Sequence, residues 1–301
     1  ELYEFAGRQR GGRGSDGCRR AFGGGSVNNS PFSDTLILIK GAGDLATGVA
    51  WRLHRCGFPV VMTELSRPLA VRRAVSFAQA VFDGEHTVEG VTARLSLLED
   101  VPDVLAANEI PVLIDTETAC LPEIAPTVLV DARLTKRNID TSIDDAPLVL
   151  ALGPGYVAGV DCHAVIETHR SHNLGRVIWL GEAEADTGDP GHLAGVPDDT
   201  SRVLRAGVSG RFISFSRIGD RLPAGDTIGV IQRPGGEEAP VLAPFTGVVR
   251  GLIHESTPVD TGMKIGDMDP RIEAEHAFTI SDKSLAIGGG VLEAILTWMR
   301  G

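Results

Sequence analysis

Hydrophobic and polar positions divide the chain into three zones with different periods. The first, GRQRGGRGSDGCRRAFGGGSVNNS and its surroundings (residues 1–34), is Gly, Arg and Ser with almost no apolar periodicity. Such a stretch cannot bury enough surface to offset its ordering entropy, so it is expected to be a disordered extension. Regular patterning starts at Thr35. Leu36-Ile37-Leu38-Ile39 is a short apolar run of the kind found in strands buried on both faces. It runs into Lys40-Gly41-Ala42-Gly43-Asp44-Leu45-Ala46-Thr47-Gly48. A helix pattern follows, with Val49, Leu53 and Cys56 on one face and Gly57 as its C-terminal cap. Pro59–Glu64 reads as the next strand, completing a strand, glycine turn, helix and strand. Apolar runs at Pro111–Asp115, Val128–Asp131, Leu148–Leu152 and Val177–Leu180 extend the predicted parallel sheet, with a helix at Glu99–Asn108. These features predict a Rossmann-like α/β domain over residues 35–184.

Residues 185–202, a Gly, Pro and Asp cluster, form the expected linker. Beyond it the runs are short and β-rich, with frequent turns. Residues 203–301 also contain an internal repeat. Arg205-Ala-Gly-Val-Ser-Gly210 matches Leu242-Ala-Pro-Phe-Thr-Gly247, which lies 37 residues later, and Leu222–Gly229 matches Val259–Gly266 at the same offset. Two such copies can bury faces that neither buries alone. The pattern resembles the barrel-sandwich module of lipoyl and biotinyl domains, so the expected fold adds an all-β barrel-sandwich module and a final helix, Val291–Met299. The segment joining the copies, Gln232–Pro240, has no Lys, so no covalent lipoyl or biotin group is expected.

Composition narrows the function. The 301-residue chain is 43% hydrophobic and 23% charged, long enough for a large core. No run of about 18 apolar residues is present, so no membrane partner is expected. With 28 Lys plus Arg against 40 Asp plus Glu, the net charge of −12 disfavours nucleic acid as a partner. The Gly/Arg extension reads either as an RNA-binding tail or as an upstream extension foreign to the fold, and the acidic body favours the second. Cys18, Cys56, Cys120 and Cys162 form no CxxC pair, which points to a reducing cytoplasm, with Cys56 as a small core residue.

Candidate chemistry concentrates in three places. In Gly41-x-Gly43-x-x-Ala46, Gly41 allows a tight turn, Gly43 a close approach to a phosphate and Ala46 close helix packing. The helix start then offers free N–H groups to an anion. Glu64 lies 21 residues after Gly43, where a carboxylate can bind ribose hydroxyls, while Asp44 is discordant beside a pyrophosphate. The same pattern is also met as a βα turn with no ligand. The second place is Gly153-Pro154-Gly155 with Glu167, His169, Arg170, His172 and Arg176. The glycine turn exposes N–H groups, and Arg170 and Arg176 suit phosphate geometry. His169-x-x-His172 has the spacing of a metal pair but lacks a full ligand set, so no metal is assigned. An ordinary loop with structural ion pairs is the alternative. The third is Asp267, Asp269 and Arg271 in KIGDMDPR, which reads either as a cation or polar-ligand site or as a charged turn. Farther on, Ser281 is a candidate N-cap, and Gly288-Gly289-Gly290 calls for close backbone approach.

Several long motifs together carry a family resemblance: IKGAGDLATGVAWRLHRCGFPVVMTE, LAVRRAVSFAQAVFDGEHTVEGVTARL, LGPGYVAGVDCHAVIETHRSHNLGRVIW, KIGDMDPR and ISDKSLAIGGGVLEAIL. They span residue 35 to about residue 297, and the chain resembles the YqeB family in them. The resemblance implies an accessory or maturation protein of a selenium-dependent molybdenum hydroxylase system. Its partners would be that hydroxylase and a small anionic ligand, a nucleotide or a molybdopterin-type cofactor. It assigns no catalytic residue. The expected binding residues are Gly41, Gly43, Asp44, Ala46, Glu64, Gly153, Gly155, Arg170 and Arg176. An NAD(P)-dependent oxidoreductase and a ligand-free docking scaffold are the alternatives; neither a Tyr-x-x-x-Lys pair nor a similar hydride-transfer base is evident.

Overall fold

The computed structural model describes residues 30–185, 202–271 and 273–301. Most of the expected extension (1–29) and most of the expected linker (186–201) lie outside the described residues.

The apolar runs form one sheet. Its strands are β1 (Ile37–Lys40), β2 (Val60–Glu64), β3 (Glu85–Val88), β4 (Val91–Ser96), β5 (Ile110–Ile114), β6 (Val128–Asp131) and β7 (Leu148–Leu152). After the short β8 (Val157–Ala158) come β9 (Ala164–Ile166) and β10 (Val177–Ile178), and β11 (Gly181–Glu182) pairs with β8 apart from this sheet. The nine-stranded order is β10-β9-β7-β6-β1-β2-β5-β4-β3. Alternate residues of the central strands feed two cores. Ile37, Ile39, Val60 and Met62 face one side, and Leu38, Val61, Leu113 and Leu129 face the other.

The expected Rossmann-like domain with a parallel sheet is corrected by this arrangement. The sheet is mixed: β3 runs antiparallel to β4 at one edge and β10 antiparallel to β9 at the other. Strand β4 lies outside β5 although it precedes it in the chain. Helix α1 (Asp44–Arg55) links β1 to β2; α2 (Ala80–Asp83) and α3 (Val101–Ala106) fall between β2 and β5, and α4 (Leu121–Ile124) between β5 and β6. No helix links β6 to β7 or β7 to β9. That part of the sheet is covered instead by α5 (Asp282–Met299) from the far end of the chain, whose Ile287, Val291, Ala294 and Ile295 enter the first core. Helix α5 begins nine residues before the expected start at Val291, because Ser281 caps it by accepting the Ser284 N–H and the three glycines lie inside it. Cys56 is exposed just past α1 rather than in the core.

The second region holds β12 (Val203–Arg205), β13 (Gly210–Ser214), β14 (Arg221–Leu222), β15 (Thr227–Gln232), β16 (Glu238–Leu242), β17 (Gly247–Leu252), β18 (Pro258–Val259) and β19 (Lys264–Asp269). The sequence repeat places β13 against β17 and β15 against β19. The lipoyl/biotinyl-like barrel-sandwich is likewise corrected. These strands make two separate four-stranded antiparallel sheets, β12-β19-β17-β14 and β16-β15-β13-β18, and the final helix leaves them for the large sheet. They close on their own core of Phe212, Ile228, Ile231, Val249, Ile265 and Met268. The seam with the first region is tight: a Cβ on Gly251 would lie 2.6 Å from the Val71 carbonyl oxygen, and Arg73 Nε donates to the Leu252 carbonyl at 2.7 Å. Among the described residues no helix is long and apolar enough to cross a membrane.

Candidate functional site

A cleft of about 960 Å³ opens at the carboxyl ends of β1, β2, β5 and β6, the end at which open α/β sheets take ligands. One of the two small sheets, β12-β19-β17-β14, walls its far side through Arg250, Lys264 and Asp267, with Arg202 just before β12, and the start of α5 adds Ser281 and Lys283.

The glycine turn forms part of the floor. Gly41 has φ +94°, and its N–H donates to the Thr63 carbonyl at 2.8 Å. A Cβ on Gly43 would meet nothing within 4 Å, so the space above it is open. Glu64 does not reach outward. Its carboxylate accepts the Ala42 N–H at 2.9 Å and the Leu65 N–H at 2.8 Å, holding the turn from within. Burial pushes its pKa up against these two bonds. The discordant Asp44 is consumed by Arg72 Nη1 at 2.9 Å and Ser284 Oγ at 2.9 Å, which tie α1 to the start of α5.

Of the sequence-derived candidates, Gly41, Gly43, Asp44, Ala46, Glu64 and Arg170 line the cleft; Gly153, Gly155 and Arg176 do not. Gly153 and Gly155 have φ +73° and +101° and pack closely on Thr168 and on the Lys136–Arg137 backbone. Arg176 is exposed. Arg170 forms a forked pair with Asp282 at 2.7 and 2.9 Å, and this bond holds the Asp282 carboxyl down at about 2. Glu167 is buried and accepts the His169 and Glu184 N–H groups, so it organises the loop. Asp269 is taken by Arg271, whereas Asp267 faces Lys264 at 3.5 Å and Arg202 at 4.0 Å.

The sequence reading missed the arginines. Arg72 and Arg250 are 4% and 8% exposed, and the Nε atoms of Arg72, Arg202 and Arg250 are buried without a hydrogen-bond partner. Arg72 is partly satisfied by Asp44 and by the His276 and Thr279 carbonyls. Arg250 has no ion pair among the described residues. Burial first, and then Arg72 and Arg202, push its pKa down, with Asp267 and Asp44 opposing. Arg72, Arg202, Arg250, Lys264 and Lys283 thus converge with Asp44 and Asp267 as the nearby carboxylates, a cationic patch in a protein of net charge −12. One signal was legible: Arg250 stands inside the apolar run VVRGLI, where the first repeat copy has Ile213.

No family model matches the chain. Ninety percent of it aligns at 48% identity with the Escherichia coli (strain K12) protein named "Uncharacterized protein YqeB", which supports its kinship with YqeB. The chain spans about half (49%) of that relative's length. Among solved structures it is similar to a succinylglutamate desuccinylase/aspartoacylase from Rhodobacter sphaeroides (14% identity, 78% of this chain and 86% of the other, TM-score 0.27). It is also similar to an aspartoacylase family protein from Mesorhizobium loti (15% identity, 77% and 84%, TM-score 0.28). At these scores neither overlay lends its activity to this chain. The solved structures named above are desuccinylase and aspartoacylase proteins, not molybdenum hydroxylase accessory factors. The accessory role implied by the resemblance is therefore corrected, and neither it nor its nucleotide or molybdopterin-type cofactor and its alternatives enter the functional reading.

Proposed function

We propose that the chain binds a small molecule carrying a phosphate or carboxylate group, with the anion seated against Arg250 and facing the Gly41–Gly43 turn. The observation that carries this reading is the nearly buried guanidinium of Arg250, which has no ion pair among the described residues and whose Nε has no hydrogen-bond partner. A charge removed from water costs several kcal/mol unless it is paired, and an anion supplies the missing partner. The free N–H groups at the start of α1 add a positive dipole end on the same cleft. Leu65, Leu69, Leu134 and Ile139 give the remaining wall an apolar face for the body of the ligand.

Calorimetric titration with inorganic pyrophosphate and with citrate tests the reading. Arg250→Met, which keeps the length of the side chain, is expected to weaken binding by about tenfold or more, corresponding to the roughly 1.5–3 kcal/mol of a hydrogen bond to a charged group. Affinity within twofold of wild type would remove Arg250 from the site. A second variant tests the turn. Gly43→Val has room for its side chain and an ordinary backbone conformation, φ −68°, so the fold should survive while the anion is kept away. Unchanged affinity in this variant would place the anion elsewhere.

A further inference from the structure

The chain contains four lysines, Lys40, Lys136, Lys264 and Lys283. Lys40 is buried and held by Asp140 at 3.1 Å and Thr141 at 3.0 Å. Lys264 has Asp267 at 3.5 Å. Lys283 differs from both. It lines the cleft as the second residue of α5, is half-buried, and has no carboxylate at ion-pair distance among the described residues. Its surroundings disfavour the ammonium form. Burial lowers its pKa most, and Arg170 and Arg202 lower it further, against Asp44 and Glu167. The neighbouring Asp282 is already engaged by Arg170, and the Arg250 charge also acts on it. The positive end of α5 works in the same direction.

An amine whose ammonium form is disfavoured by burial and by neighbouring cations is the better nucleophile for it, and one beside an anion site meets whatever the anion carries. We propose that Lys283 condenses with an aldehyde or ketone carbonyl of the anionic ligand, so that the substrate class is a carbonyl compound bearing a phosphate or carboxylate. This rests on the anion-binding reading above. In the step, the Nζ lone pair bonds to the carbonyl carbon and the C=O π pair moves to oxygen. Protons pass from nitrogen to that oxygen, which leaves as water, and a C=N bond remains. One amine and one carbonyl give one imine and one water, and nothing is oxidised or reduced.

The test uses pyridoxal 5′-phosphate, an aldehyde carrying a phosphate, followed by borohydride reduction and peptide mapping of the full chain. One equivalent is expected on Lys283. Labelling should be at least tenfold faster than with pyridoxal, which lacks the phosphate, and slowed by inorganic pyrophosphate. It should be half-maximal below the ordinary lysine value of 10.5. Lys283→Met should abolish the adduct. Preferential labelling of Lys264, or labelling spread over the lysines, would overturn the proposal. Calorimetry on the wild type separates the two readings. Pyrophosphate bound with Lys283 unlabelled refutes the reactive amine and leaves the anion site standing. No pyrophosphate binding, with equal labelling by the two aldehydes, refutes the anion site on which the proposal rests.

Discussion

Replacing Asp131 by Ala is expected to cost about 3–5 kcal/mol of folding stability, the scale for removing one partner of a buried ion pair. Asp131 ends β6 beneath the cleft and is fully buried. Its carboxylate receives Arg133 Nη2 at 2.6 Å and Nε at 3.0 Å, Thr141 Oγ1 at 2.7 Å and the Tyr156 hydroxyl at 2.7 Å. Truncation leaves the buried Tyr156 hydroxyl without that acceptor and leaves Arg133 with Asp140 as its remaining carboxylate and Thr141 Oγ1 at 3.2 Å. Urea unfolding of wild type and variant measures the loss, and a loss under about 1 kcal/mol, the net worth of an ordinary hydrogen bond, would sink the argument. The control is Glu85→Ala. Its ion pair with Arg94 is exposed, so a change within about 0.5 kcal/mol is expected. The acid limb supplies a second readout. Burial raises the Asp131 pKa, but the bonds from Arg133, Thr141 and Tyr156 outweigh it and leave the carboxyl below its ordinary 3.8. A depressed carboxyl contributes stability above its unfolded value, lost as pH falls below it. Asp131→Asn should therefore flatten the fall in stability on the acid side.

The central strands were legible because apolar runs of four or five residues have few alternatives to a doubly covered strand. Val128–Asp131 and Leu148–Leu152 appear with the expected bounds. The edges were not legible. Glu85–Val88 is a polar segment held by pairing with Val91–Ser96, and its partner is fixed by the Gly90 turn rather than by its own pattern. The covering of β7, β9 and β10 by α5 was hidden because it is a contact between distant parts of the chain, and no local period encodes it. The site divides in the same way. The turn at Gly41 and Gly43 is a local motif and was visible; the Asp267 group was also visible, but it lies on β19 and not in the expected turn. Arg72, Arg202 and Arg250 meet only after the second region docks on the first, so each looks like an isolated charge in sequence. The repeat held the missing clue. The second copy carries Arg250, Lys264 and Asp267 where the first has Ile213, Thr227 and Val230, a change from mostly apolar to charged at positions facing the cleft.

The packing of α5 against the Gly175 turn makes neighbouring glycines of one helix respond in opposite directions. Gly288, Gly289 and Gly290 lie within α5, where a glycine interior to a helix costs about 0.8–1.0 kcal/mol relative to Ala. At Gly289 a Cβ would meet nothing within 4 Å. Gly289→Ala should therefore stabilise the protein by about 1 kcal/mol. At Gly290 a Cβ would collide with the Gly175 carbonyl oxygen and lie 2.9 Å from Ile166 Cγ2. The carbonyl belongs to the turn at Gly175, whose φ is +80° and whose N–H donates to the Glu167 carbonyl at 2.9 Å, so it cannot rotate aside as a side chain would. Overpacking of this kind costs about 1–3 kcal/mol or more, and backbone rather than side chain at the contact puts Gly290→Ala at the upper end. The overpacking exceeds the propensity gain, giving a net loss of about 2 kcal/mol and a difference of about 3 kcal/mol between the two variants. Gly48 on α1 presses on the same helix, since its Cβ would lie 2.6 Å from Ser284 Cβ. Gly48→Ala should therefore lose stability like Gly290→Ala. Chemical unfolding of the three alanine variants checks the set. Equal stabilisation at Gly289 and Gly290 would mean that α5 does not lie against the Gly175 turn, and the cleft wall carrying Ser281 and Lys283 would have to be redrawn.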